Sequence, residues 1–109
     1  MADFNDFLQD IKSGITTLAE TSFKDLKDQV VAAGYEFINK SEADLKLWTA
    51  QLAAGEINEK DFEWQIKSKK DLAELIFLKQ KGLAKAQIDK FTTGLFDVIV
   101  SSGVRTFVV

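Results

Sequence analysis

The chain has no cysteine and no histidine, and these two absences remove most of the familiar side-chain chemistry. Without Cys there is no disulfide framework, no thiolate nucleophile and no zinc-thiolate site. Without His the commonest general base and the commonest metal ligand are both missing, so a Ser-His-acid triad cannot be assembled. Proline is absent as well. Nothing stronger than glycine interrupts the backbone, which permits long unbroken helices. The six glycines are scattered singly and build no phosphate-cradling loop.

The reactive groups that remain are carboxylates, lysines, hydroxyls and Tyr35. Glu59, Asp61 and Glu63 are the densest acids, but they fall in the first turns of a helical segment, where negative charge complements the dipole. The lysines lie at surface-like spacing, unsuited to a desolvated Schiff-base amine. Gly55 to Phe62 is similar to the second half of an EF-hand loop. The first half departs from it, because Ala50, Leu52 and Ala54 stand where oxygen ligands would be needed. The expectation is a protein with no enzymatic activity, no cofactor and no metal.

At 109 residues the chain is one domain spanning 1–109. Nine Phe and two Trp, with many Leu and Ile, supply enough apolar area to offset chain entropy, so a packed core is expected. The net charge of −3 argues against nucleic acid as a partner. That charge is unevenly spread: up to Trp64 there are six Lys against thirteen acids, net −7, and beyond it eight bases against four acids, net +4. Either acidic early helices pair with basic later ones, or Lys67, Lys69, Lys70, Lys79, Lys81, Lys85 and Lys90 form a face for an acidic partner. The opening MADFNDFLQD is acidic and carries no continuous apolar run, unlike a secretion signal. A cytoplasmic location is expected.

Helical periodicity dominates the pattern. Phe4, Leu8, Ile11, Ile15, Ala19, Ser22, Leu26, Val30, Ala33 and Phe37 step by three and four, predicting one long helix from about Asp3 to Asn39. The alternative is a break at Thr21–Ser22, with Ser22 and Asp25 as a capping box. Ser41 with Asp44 and Asn58 with Asp61 repeat that capping pattern, and Gly55 predicts a left-handed helix end between them. Leu45, Trp48 and Leu52 mark the face of a short helix, widened by Leu47. Phe62, Ile66, Ala73, Ile76 and Phe77 mark the next, which runs on towards Gly82. The fold these segments predict is all-α, an antiparallel bundle of four to five helices with a long N-terminal helix.

The most apolar part of the chain is Phe91–Val109, where only Asp97 and Arg105 are charged from Leu95 onward. Phe91, Leu95 and Ile99 fit an amphipathic helix; the β-branched residues around Ser102-Gly103 suit a hairpin instead. Helix is the preferred reading. Leu72–Leu78 is also apolar nearly all round, as in a helix that is buried at one end or carries an interface. Trp64 falls off the stripe of its helix and suits a contact, whereas Trp48 suits the core. The functional expectation is a non-catalytic interaction or scaffold protein that contacts a protein partner or itself as a homo-oligomer. Trp64, Leu75, Leu78, Leu95, Phe96, Ile99 and Phe107 are its candidate contact residues, with self-association through the C-terminal segment. A membrane-associated helix is the rival reading for that segment. It is shorter than the roughly 20 apolar residues a span requires.

Overall fold

Asp3 opens the first helix by a reciprocal cap. Its carboxylate accepts the Asp6 N–H at 3.0 Å, and the Asp6 carboxylate accepts the Asp3 N–H at 3.1 Å. Two amides that the helix leaves unpaired are thereby satisfied. The computed structural model describes residues 3–80 and 82–108, so Lys81 of the basic set and Val109 of the tail lie outside the described residues. From this cap α1 runs over Phe4–Ser22, followed by a single 3-10 turn at Lys24–Leu26 and by α2 over Lys27–Lys40. Then come α3 (Glu42–Ala53), α4 (Glu59–Lys67), α5 (Lys70–Leu78) and α6 (Lys85–Phe107). The described residues form no strand, and the all-α antiparallel bundle predicted from periodicity is the observed architecture.

The N-terminal helix is long, at 19 residues, but it does not continue to Asn39. Phe23 leaves helical geometry at φ −140° and ψ 44°, and the chain turns back on itself. Its ring is buried and meets Phe91 edge-on at 5.4 Å, which rewards the break. Ser22 and Asp25 make no capping box there. The long apolar stripe is therefore two faces that meet each other, with Ile15 of α1 lying on Gly34 of α2.

The joint between α2 and α3 is a single residue. Ser41 alone separates the helices, accepts the Leu45 N–H and donates its own N–H to Phe37 O, while its hydroxyl caps nothing. Asp44 pairs with Lys69 rather than closing a box with Ser41. At the far end of α3, Glu56 N–H reaches Gln51 O at 2.9 Å and Gly55 N–H reaches Leu52 O at 3.2 Å. This is the Schellman pattern, with Gly55 at φ +76°. A Cβ at Gly55 would meet nothing within 4 Å, so a substitution there tests backbone conformation alone. Gly55→Val is expected to cost more than the roughly 1 kcal/mol of ordinary propensity, because a β-branched residue resists positive φ. An unchanged urea midpoint would refute the placement.

Asn58 and Asp61 do form the reciprocal box, at 2.8 and 3.2 Å, and start α4. The helix expected to run on from there is interrupted at Ser68 and Lys69, which divides it into α4 and α5. Counting that pair as one interrupted stretch leaves five helical units. The interruption brings Lys69 back to α3, where its ammonium pairs with Asp44 and lies 5.7 Å from the Trp48 ring centroid.

The apolar tail is helical throughout Lys85–Phe107, 23 residues, with Ser102 and Gly103 inside the helix rather than in a hairpin turn. As the longest helix it forms the common wall of the bundle, touching α1, α3, α4 and α5. Phe91, Leu95 and Ile99 are fully buried along it, and Gly103 lies against the Phe62 ring of α4. The uneven charge is expressed in the same packing. Glu36 pairs with Lys79 at 2.7 Å, Asp10 with Arg105 at 2.5 Å and Asp44 with Lys69, each an early acid on a late base. The Arg105 hydrogen bond holds the Asp10 carboxyl below its ordinary range, and Lys79 does the same to Glu36. Solvent screens exposed pairs of this kind, so they contribute little to stability.

Candidate interaction surface

The seven residues expected to make contacts divide sharply by position. Trp64 on α4 is 73% exposed, and Leu75 and Leu78 on α5 are 63% and 67% exposed. Phe62 and Ile66 point α4 inward, and Trp64, two residues from each, is turned to the outside. On α5 the inward residues are Ala73, Ile76 and Phe77, which leaves Leu75 and Leu78, three apart, on one outer face. Leu95, Phe96 and Ile99 are instead buried in the chain's own core. Phe107 is half-buried, its ring 5.7 Å from that of Phe7. Within the single chain, α1 and α4 lie against the apolar side of α6 that carries Leu95, Phe96 and Ile99. Trp48 is half-buried against the core, as its stripe suggested.

Two hollows lie along the seam between α5 and α6, on either side of Asp89. The first, about 320 Å³, has Leu78, Leu83 and Ile88 as its apolar lining and Glu74, Lys85 and Asp89 as its charged lining. The second, about 270 Å³, is lined by Lys67, Lys70, Thr92, Phe96 and Asp97 among others. In the second hollow Thr92 Oγ1 is buried without a hydrogen-bond partner. Lys67 donates to Glu63 at 2.7 Å, a bond that raises its pKa, with a further contribution from Asp97 across the seam. Both hollows carry charges of both signs, so neither is a selective anion or cation site. What they offer is recognition: apolar area, ionic groups at the edge and hydroxyls.

The seam itself was not apparent from the one-dimensional pattern. Leu83 lies between helices and Ile88 on the inner stripe of α6, so neither stood out as a surface residue. The usable signal was Gly82, at φ +88°, with Leu78 and Leu83 close on either side of a reversal. Leu47, 54% exposed on α3, is a further outward apolar side chain that the sequence showed only as a wide helical face. Among the described residues no helix is long and apolar enough to cross a membrane, and no cluster of three acids could hold a metal ion. Comparison with protein-family models, with curated proteins and with solved structures finds no match for this chain.

Proposed function

We propose that this protein is a small helical contact module that acts without catalysis, by docking apolar side chains of α4 and α5 onto another protein chain. One observation carries the reading. Trp64, Leu75 and Leu78 stand out at 63–73% exposure, on a molecule whose other Trp is half-buried and whose phenylalanines lie in or against one core. Exposed apolar patches rimmed by polar residues mark interaction sites, and Trp is among the residues enriched at binding hot spots. A membrane surface is the weaker occupant. A helix lying on lipid sets several basic residues beside its apolar face, whereas the exposed apolar side chains of α4 and α5 are flanked by acids as well as bases, Glu59, Asp61 and Asp71 among Lys60, Lys67 and Lys70.

Site-specific photo-crosslinking in the cells that make the protein tests this. A benzophenone side chain at position 64, 75 or 78 is expected to yield protein adducts of discrete mass, and the same probe at exposed Thr17 is expected to yield none. Lipid adducts, or no adduct at any of the three positions, would refute it.

A further inference from the structure

The hollow between α5 and α6 fits a second copy of this chain, and we propose that two copies pair across a two-fold axis through it. This rests on the contact-module reading and names its partner. A projection and a hollow adjoin: Leu75 and Leu78 are 63% and 67% exposed, and Leu78 also borders the hollow whose apolar lining is completed by Leu83 and Ile88. In an isologous pair each projection enters the other copy's hollow, so one patch serves as both knob and hole.

The charges agree with the shape. Lys85 and Asp89 lie one turn apart on α6, both lining the hollow, and neither has an ion-pair partner among the described residues. Their order, base before acid at i and i+4, is the weaker orientation for pairing within a helix. Four i,i+4 pairs elsewhere on the molecule are closed, all with the acid first except Lys70–Glu74. An axis passing between residues 85 and 89 sets the two α6 helices antiparallel. Lys85 of each copy then faces Asp89 of the other. Two charges without an ion-pair partner among the described residues are thus each matched by the chain's own copy. An acidic partner would meet Lys85 but also Asp89 and Glu74, and a basic partner the reverse.

The test is sedimentation equilibrium on the purified full chain over a roughly hundredfold concentration range, since self-association follows mass action. The wild type is expected to move from one chain mass towards two. Leu78→Lys is expected to stay at one chain mass with unchanged helicity. Lys85→Asp places like charges across the axis at two points, and so does Asp89→Lys; each is expected to weaken pairing by about tenfold or more. Mixed together, these two variants place opposite charges at both points, and a heterodimer is expected to return. A wild type that remains monomeric throughout would overturn the proposal, as would a dimer indifferent to Leu78→Lys or singles that fail to complement. A monomeric wild type whose positions 64, 75 and 78 still crosslink to a different protein would overturn the self-pairing and leave the contact reading standing.

Discussion

A chain ending at Gly94 is expected to have no cooperative fold. The cut removes Leu95 and Ile99, both fully buried, and Phe96, which is 5% exposed. Each such side chain contributes about 1.5–3 kcal/mol by burial. It also removes Val98, Val100 and Phe107, which pack on the core, and uncovers Phe7 and Phe62. A domain of this size has about 5–15 kcal/mol of stability in total, and the three fully or nearly buried residues alone approach that figure. Far-ultraviolet circular dichroism is expected to show most of the helicity gone, with no sigmoidal melt. A truncated chain that kept its helicity and unfolded in one transition would show that α6 is an appendage on an independent bundle. The contacts of α6 with four other helices argue against that outcome.

The residues that were legible in the sequence are those whose signal is local. Asn58 with Asp61 and Gly55 need only their neighbours within a few positions to act, and each does what its spacing implied. The period of the stripes gave the helical class for the same reason. Breaks were harder to place. Phe23 ends α1 because its ring meets Phe91, a residue in a different helix, and no local rule reports that. Ser41 and Asp44 have a capping spacing, yet Asp44 is drawn to Lys69 across the bundle. The tail shows the same limit at the surface. Its apolar excess was visible, but whether Leu95, Phe96 and Ile99 face a partner or their own core depends on which helices lie against them. Trp64 was legible because Phe62 and Ile66 fix the inward side of α4 and leave it outside.

Glycines at the α1–α6 seam carry the second large effect. Viewed alone, Gly14 weakens its helix by about 1 kcal/mol relative to Ala, so Gly14→Ala would be expected to stabilise. The structure reverses that sign. A Cβ at Gly14 would sit 2.6 Å from Val98 Cγ1, far inside contact distance. Val98 is β-branched and stiff at χ1, and it is part-buried against the core, so it cannot swing aside. The arrangement is reciprocal, since a Cβ at Gly94 would sit 2.9 Å from Leu18 Cδ2. Each helix thus presents a glycine and, four residues on, a large side chain, and the antiparallel crossing lays each large residue on the other helix's glycine. Overpacking such a site costs about 1–3 kcal/mol. Gly14→Ala is therefore expected to lower stability by a net of roughly 0.5–2 kcal/mol once the propensity gain is set against that clash. In a Val98→Ala background the obstructing methyl is gone, and Gly14→Ala is expected to raise stability towards the propensity limit. Urea midpoints of the four proteins in this double-mutant cycle give the coupling directly. A Gly14→Ala chain more stable than the parent, or one destabilised equally in both backgrounds, would mean that α1 and α6 do not meet through these glycines.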